Sequence, residues 1–186
     1  HTIILIGVIF SMFASALISL VITFSGERLR SITFWTMGSL AASGYREALI
    51  MFAALLPVGA VLLSHARALN AFAVGEDNAR SVGVDVRGVK LRVLLSVAAL
   101  IGIAVSIGGS IGFVGLVTPH MARLLVGPNH RRLLPASVFG GAMFLMVADL
   151  LARTVLSPME LPIGVVTSLA GAILFLTLFV RRGRAG

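Results

Sequence analysis

TIILIGVIFSMFASALISLVITF, the stretch Thr2–Phe24, contains no charged residue over its 23 positions. A helix needs about 20 mainly apolar residues to cross the hydrocarbon core of a bilayer, and about 17 can suffice. Four further runs without Asp, Glu, Lys or Arg follow along the chain: Ala48–Ser64, Val93–His120, Leu133–Ala148 and Leu161–Val180. The chain is therefore predicted to be an all-α, polytopic membrane protein.

The composition supports a membrane environment. Hydrophobic residues make up 58% of the 186 residues and charged residues 12%, with a mean hydropathy of +1.06, whereas soluble domains carry about 25% charged residues. The net charge of +8 does not indicate nucleic-acid binding, which needs a soluble basic face. The absence of cysteine excludes disulfides and thiolate metal ligands. Since the chain begins at His1 without a charged n-region, Thr2–Phe24 is not a signal peptide, and a missing N-terminal part is expected.

The distribution of Arg and Lys predicts the orientation in the membrane. The run Val93–His120 can be split at Gly108–Gly112, where three glycines in five residues weaken a helix. The split gives six spans, with Val93–Gly109 and Ile111–Val126 as the third and fourth. One side then carries Arg67, Arg80, Arg87, Lys90, Arg92, Arg123, Arg131, Arg132, Arg181, Arg182 and Arg184, and the other carries Arg28, Arg30, Arg46 and Arg153. Because cytoplasmic loops are enriched in Lys and Arg, the first side and both termini are predicted to be cytoplasmic.

The longest stretch on that side, Ala66–Arg92, contains a predicted short helix. Gly75 can separate this helix from the preceding segment, and Gly83 is expected at the C′ position of the helix. Glu76 and Arg80 are spaced i, i+4 in the favourable order and are expected to pair. The face that would let another surface approach closely consists of Glu76, Ala79, Arg80 and Gly83. The alternative is a solvated amphipathic connector.

Pro119 lies within the fourth predicted span, so the helix there should be kinked or should start anew. His120 and Arg123 would share a face near the cytoplasmic end of this span. Leu124 stands four residues after His120 and is no metal ligand, and His130 lies in a predicted loop. A structural or interfacial histidine is therefore favoured over a metal site.

An acid and a base lie at the outer end of the fifth span. Asp149 and Arg153 are spaced i, i+4, so Asp149 either neutralises Arg153 or has a function of its own, the default expectation for an acid within a membrane. Arg153 lies on the outer side, against the charge bias, where a cation is well placed to meet an acidic partner.

Small residues within the spans predict how the helices pack. Close approach of two helix backbones in a membrane needs small side chains. The positions expected to serve this purpose are Gly140, Gly141, Gly164 and Gly171. A substrate-contacting role is the less favoured alternative for these glycines.

Five motifs follow one another along the chain. They are Gly75-Glu76-x-x-Ala79-Arg80-x-x-Gly83, Gly112-Phe113-x-Gly115-Leu116-Val117-x-Pro119-His120-x-x-Arg123, His130-Arg131-x-Leu133-Leu134-Pro135, Ala148-Asp149-x-x-Ala152-Arg153 and Glu160-Leu161-Pro162-Ile163-Gly164-Val165-x-Thr167. In this order and at this spacing, the chain resembles the permease subunits of bacterial ABC importers for iron chelates (siderophores or haem) and cobalamin. The resemblance covers the whole chain, and the combination of five motifs makes it highly specific.

The resemblance implies a ten-helix type II ABC importer permease. Residues 1–186 would form a single, N-terminally truncated transmembrane domain with helices five to ten. In this family two permeases form a homodimer, and the substrate path runs along their interface. Residues 74–87 would be the cytoplasmic coupling-helix loop, seated on a cytoplasmic ATP-binding subunit through Glu76, Ala79, Arg80 and Gly83. Arg153 would pair with a periplasmic or lipid-anchored substrate-binding protein.

The resemblance also implies structural or gating roles for Gly112, Gly115, Pro119, His120, Arg123, Asp149, Glu160, Pro162 and Gly164. No catalytic residue, metal or cofactor is expected on this chain, and the partner ATPase would use ATP-Mg. Gly88-Val89-Lys90-Leu91, which contains the single lysine of the chain, does not match a phosphate-binding loop. This agrees with ATP hydrolysis by a separate subunit. Membrane lipid of the bacterial inner membrane would be a further partner, and nucleic acid would not.

Two other functions are alternatives. An ion-driven secondary transporter would place acids near the membrane midplane. Glu27, Glu47, Asp149 and Glu160 instead fall at or outside the ends of the predicted spans, which disfavours this function. A non-transporting, truncated membrane paralogue is the other alternative. The substrate stays open among haem, ferric siderophore and cobalamin, because the permeases for all three share the motifs.

Overall fold

The computed structural model describes residues 2–24, 29–157 and 159–183, and within these ranges the chain is helical without strands. The helices are α1 (Thr2–Phe24), α2 (Leu29–Thr36), α3 (Tyr45–Ser64), α4 (Ala66–Phe72), α5 (Glu76–Ser81), α6 (Val86–Gly108), α7 (Val114–Val126), α8 (His130–Thr154) and α9 (Ile163–Gly183). The predicted all-α fold is confirmed. Glu27, Arg28 and Arg184, named above, lie outside the described residues.

Helices α1 and α2 form one compact unit, and the chain from Met37 onward forms another. Helix α1 is long and apolar enough to cross a membrane, as predicted. Three of its hydroxyl groups are hydrogen-bonded within the helix. The hydroxyls of Ser11, Ser19 and Thr23 each donate to the carbonyl four residues earlier, at 2.8–2.9 Å. Such bonds remove the cost of an unpaired hydroxyl in an apolar environment.

The second unit contains the other five predicted spans. Helices α3, α6 and α8 are long and apolar enough to cross a membrane, α7 is a shorter apolar helix, and α9 is apolar over Ile163–Leu174. The third and fifth spans begin earlier than predicted, because Asp85 and Asn129 cap the helices that form them. Asp85 accepts a bond from Gly88 N at 3.1 Å, and Asn129 accepts one from Arg131 N at 3.0 Å. A cap of this kind satisfies a free amide of the first turn, so each helix starts directly after its capping residue and includes charged residues in its first turns.

The predicted break between the third and fourth spans is present. Helix α6 ends at Gly108, and Gly109 follows with a φ of +70°. Phe113 adopts the left-handed region with a φ of +65°, directly before α7. Helix α7 then continues through Pro119, so the expectation that a helix starts anew at this proline is wrong. The reorientation occurs at Gly109 and Phe113 instead, and Pro119 removes only one hydrogen bond from a helix that is already formed.

The core of the second unit is built from small side chains. Helix α7 lies along α8, α3 lies along α6, and α9 packs against α7 and α8. Ala148 and Ala152 of α8 are buried, and Ile163 and Thr167 of α9 are fully enclosed. Small buried residues bring the helix axes close together, which is how helices associate where lipid removes the hydrophobic driving force.

The glycines predicted to allow close packing differ from one another. A Cβ atom at Gly171 would lie 2.6 Å from Cγ of Phe113, and one at Gly164 would collide with the carbonyl oxygen of Met37. Gly141 has only ordinary neighbours, and Gly140 has nothing within 4 Å of the same position. Close contact is therefore present at Gly171 and Gly164 and absent at Gly140 within this chain, and the Phe113 that Gly171 contacts directly precedes α7 rather than lying within it. At Gly164 the close neighbour is a loop rather than a helix.

The contrast between two glycines predicts opposite effects of one substitution. Gly171→Ala should destabilise the protein by about 1–3 kcal/mol, because the new methyl group overlaps the Phe113 ring. Gly140→Ala, in open space within α8, should be neutral or stabilise by up to about 1 kcal/mol through helix propensity. Thermal unfolding of both variants in the same detergent measures the difference. Equal melting temperatures would contradict this account of Gly171.

Candidate functional site

The loops of the second unit gather at its two ends. At one end, Ser39 N donates to Gly108 O at 3.0 Å, and Leu161 N donates to Ala152 O at 3.0 Å. This end, which also holds the last turn of α8, is called the Arg153 end. The other end holds α4, α5 and the first turns of α6 and α8, and it is called the α5 end. Candidate functional side chains occur at both ends.

Glycines bound the short helix at the α5 end. Gly75 precedes α5 with a φ of +131°, and Gly83 follows it with a φ of +83°. Gly83 N donates to Arg80 O and Val84 N donates to Ala79 O, both at 3.0 Å. This pair of bonds is the Schellman arrangement that ends a helix at a left-handed residue. The predicted roles of Gly75 and Gly83 as helix boundaries are confirmed.

The pairing predicted within α5 is wrong. Glu76 forms an ion pair and hydrogen bond with Lys90 of α6 rather than with Arg80. Arg80 instead lies 3.7 Å from Asp77, which precedes it by one helical turn. The cause is tertiary: α6 turns back beside α5 and brings an ammonium group to Glu76. A spacing rule for isolated helices does not register such a neighbour.

The predicted partner-facing surface of α5 also needs correction. Ala79 is fully buried against this chain, so it cannot face a partner, whereas Glu76, Arg80 and Gly83 are exposed. Sequence reasoning missed two apolar residues that flank α5, Val74 and Val82, which are 72% and 70% exposed. The signal was an apolar side chain on either side of a charged segment. Exposed valines beside charges of both signs form a surface of the mixed character found in protein interfaces.

The Glu76–Lys90 pair has a clear electrostatic signature. The hydrogen bond from Lys90 and then its charge lower the pKa of the Glu76 carboxyl, and Arg80 adds a smaller effect. Both side chains are largely exposed, 58% for Lys90 and 47% for Glu76. Water and salt therefore screen the pair, and its main effect is to fix how α5 sits against α6 rather than to stabilise the fold.

A polar contact that the sequence did not reveal joins α4 to α8. Asn70 Oδ1 accepts a bond from His130 N at 2.9 Å and lies 2.7 Å from His130 Nδ1. Asn70 Nδ2 donates to Asn129 Oδ1 at 3.1 Å. We call Asn70, Asn129 and His130 the Asn70 clasp. No sequence signal could have predicted this contact, because Asn70 precedes Asn129 by 59 positions and His130 by 60.

At the Arg153 end, the predicted acid–base pair is confirmed. Arg153 Nε donates to Asp149 Oδ2 at 2.8 Å. The side chains are 44% and 31% exposed, respectively, so the guanidinium group still reaches solvent. Glu160 lines the same small pocket as this pair, and Pro162 directly precedes the first residue of α9. Arg153 is thus held in one orientation by its own chain and remains accessible to solvent.

The other predicted site residues do not form one cluster. Gly112 sits close to α9, where a Cβ atom would lie 3.4 Å from Ser168 Oγ, whereas Gly115 has open space. His120 and Arg123 are exposed on the part of α7 nearer the α5 end, away from Asp149 and Arg153. Among the described residues, no group of three or more His, Cys, Asp and Glu side chains could hold a metal ion.

Comparison with known proteins places these features in a family. The sequence profile of the FecCD transport family matches residues 1–181. The chain is 45% identical over 156 residues to the hemin transport system permease protein HmuU of Yersinia pestis, covering 84% of this chain and 47% of that protein. It is 41% identical over 185 residues to the molybdate import system permease protein MolB of Haemophilus influenzae, covering 98% of this chain and 55% of that protein.

A solved structure shows the same fold. It is an inward-facing conformation assigned to the metal-chelate type of ABC transporter, and it aligns with a TM-score of 0.84 and 40% sequence identity. The alignment covers 95% of this chain and 58% of that one. The chain therefore spans about half the length of the curated relatives it matches.

The Glu76–Lys90 pair predicts a rescue by charge exchange. Glu76→Lys and Lys90→Glu should each lower the protection of the α5 amides against hydrogen exchange, because like charges then face each other. The double variant should recover that protection. Arg87→Glu, an exposed control on the same turn of α6, should leave it unchanged. Double-variant protection no higher than that of the single variants would contradict the pair.

The same pair predicts a pH dependence. The folded-state pKa of Glu76 is lowered from its ordinary value of 4.5, so the contribution of the pair is complete above that pH. It should be lost only as the pH falls through the lowered value and the carboxylate takes up a proton. Protection factors of the α5 amides, corrected for intrinsic exchange, would show this loss in the wild type and not in Glu76→Gln.

Proposed function

Because the chain belongs to the FecCD transport family, we propose that it forms helices five to ten of the permease subunit of an ATP-driven importer. The observation that carries this proposal is the separation of two polar surfaces by an apolar helical body. One surface carries α5 with its flanking valines, and the other carries the accessible Arg153. An importer of this kind needs one surface for an ATPase and an opposite one for a substrate-binding protein.

The charge distribution supports a cytoplasmic position for the α5 end. By helix direction, this end holds Arg67, Arg80, Arg87, Lys90, Arg92, Arg123, Arg131, Arg132, Arg181 and Arg182, and the Arg153 end holds Arg46 and Arg153. Since Lys and Arg accumulate on the cytoplasmic side, the C-terminus of α9 would face the cytoplasm of a bacterial inner membrane. The Arg153 end would then face the periplasmic side.

The α5 end is proposed to dock on a separate ATP-binding subunit. Exposed Glu76, Arg80 and Gly83 supply polar contacts, and Val74 and Val82 supply apolar ones. Ala79 would act from inside, by letting α5 lie close to its own chain. ATP-Mg would belong to the partner, because this chain has no phosphate-binding loop.

The Arg153 end is proposed to receive a periplasmic or lipid-anchored substrate-binding protein. Asp149 orients the Arg153 guanidinium group and leaves part of it exposed, so a carboxylate on the partner can complete its hydrogen bonding. A second copy of the permease would complete the substrate path, in keeping with the homodimers of the family. Glu160 lies beside the Asp149–Arg153 pair, and its negative charge would repel a partner carboxylate that is not aligned with Arg153.

The proposed substrate is a metal chelate, either an iron chelate such as a siderophore or haem, or cobalamin. The relatives named for hemin and molybdate show that family members differ in cargo, so the binding protein is the better source of specificity. An ion-driven secondary transporter is disfavoured because the acids of the described spans lie near helix ends, at Glu47 and Asp149.

Reconstitution tests the proposed function. The complete permease that contains this chain, its ATPase and its binding protein would be placed in proteoliposomes loaded with ATP-Mg. We expect uptake of a chelate from a panel of haem, ferric siderophores and cobalamin, dependent on ATP hydrolysis. If no ATPase subunit co-purifies with the permease, the chain is better explained as a non-transporting paralogue. Uptake driven by an ion gradient without ATP would identify a secondary transporter.

Charge reversal at Arg153 gives a sharper prediction. Arg153→Glu should weaken binding of the substrate-binding protein by about 10- to 150-fold, the loss of about 1.5–3 kcal/mol expected for a hydrogen bond to a charged group. Arg46→Glu, an exposed arginine at the same end, should have a much smaller effect. Binding to the reconstituted complex measures both. Equal affinities for Arg153→Glu and the wild type would contradict the docking role.

A further inference from the structure

The Asn70 clasp is directional, because each of its amide groups has one workable orientation. A backbone N–H can only donate, so the atom of Asn70 that meets His130 N must be the carbonyl oxygen. In the same way, Asn129 must present its oxygen to Arg131 N. Asn70 Nδ2 then points at that oxygen, and His130 Nδ1 must carry a proton to face Asn70 Oδ1. Every polar atom that meets in the clasp has a complementary partner.

The clasp attaches α4 to the start of an unusually long helix. Helix α8 runs from His130 to Thr154 as one element of 25 residues. At a rise of about 1.5 Å per residue, it extends about 37 Å. Arg153 lies in its last turn, at the opposite end of the unit. One uninterrupted helix therefore carries the clasp at one end and the proposed docking residue at the other.

The contacts that hold the short helices differ in character. The Glu76–Lys90 pair holds α5 to α6 and is exposed to salt and water. The clasp holds α4 to α8 through short bonds of neutral amides and backbone groups, which salt does not screen. His130 and Asn70 are partly buried at this contact. Of the two contacts, the clasp is the one whose strength does not depend on the salt concentration.

We infer, on the basis of the proposed function, that Asn70 is a positioning residue that links the ATPase surface to the binding-protein surface through α8. Docking at Arg153 shifts α8, the clasp passes that shift to α4, and α4 moves the adjoining α5 on the ATPase. Coupling between two binding sites is reciprocal. If docking of the binding protein at the Arg153 end changes the affinity of the docked ATPase for ATP by some factor, ATP binding to that ATPase must change the affinity for the binding protein by the same factor.

The test compares Asn70→Ala with Asn129→Asp in the complete transporter with its ATPase and binding protein. Asn70→Ala removes all the bonds of the clasp to α4. Asn129→Asp keeps an oxygen for Asn70 Nδ2 and for Arg131 N, and Asp caps a helix as well as Asn does. The readouts are the basal ATPase rate, its stimulation by the binding protein, and the nucleotide-dependent change in affinity for the binding protein.

For Asn70→Ala, we expect an assembled complex with a basal ATPase rate near that of the wild type. The stimulation by the binding protein and the nucleotide-dependent affinity change should both fall about fivefold or more, the lower end of usual allosteric coupling. Asn129→Asp should retain both. Adding Asn70→Ala to Arg153→Ala should cause no further loss of stimulation, because residues that act in one pathway are non-additive.

Several outcomes would overturn the inference. Full stimulation in Asn70→Ala would do so, and so would equal loss of basal and stimulated rates, which indicates a merely structural role. If Asn70→Ala does not assemble, Asn70→Asp, which keeps the acceptor for His130 N and loses the donor to Asn129, decides by the same criteria. If the wild-type complex itself shows no ATP-driven uptake, the proposed function fails. If the wild-type complex and the Asn70→Ala complex both show full stimulation of the ATPase by the binding protein, only the role of Asn70 is rejected.

Discussion

The constraint on which this structure depends is that a bilayer offers no hydrogen-bonding partner to the chain. Within the apolar helices, hydroxyls such as those of Ser11, Thr118 and Thr154 bond back to carbonyls of their own helix. The described ion pairs and loop contacts of the second unit lie instead near its two ends. In the second unit, the described ion pairs are therefore concentrated at two separated surfaces, and the apolar helices between them bind their hydroxyls internally.

This separation means that any communication between the surfaces must pass along helices. Helix α8 is suited to this, because its two ends are fixed differently. Its first turn is bound through neutral hydrogen bonds to Asn70, and its last turn holds a charged pair, Asp149–Arg153. The neutral contact at one end does not depend on ionic strength. The charged contact at the other end leaves part of the Arg153 guanidinium group exposed, as the proposed docking of an acidic partner requires.

The sequence was sufficient wherever a local rule decides the structure. Gly75 and Gly83 bound α5, Gly109 interrupts the third apolar run, and Asp149 pairs with Arg153, all through spacing or backbone freedom. It was insufficient where the decision is tertiary. The partner of Glu76 is 14 positions away on α6, and Ala79 is buried by neighbours that no helical spacing reveals. The Asn70 clasp was missed for the same reason, and the functional roles of Arg153 and α5 stay predictions.

Helix α5 has six residues, and a glycine with positive φ lies on each side of it. Few inward contacts hold it, with Ala79 beneath it and Lys90 beside it. Its outward positions are thus free to diverge without disturbing the membrane-embedded helices. This makes α5 a natural module for exchange. Under the proposed function, a chimaeric permease that carries the α5 segment of a relative would dock on that relative's ATPase subunit while keeping its own apolar helices.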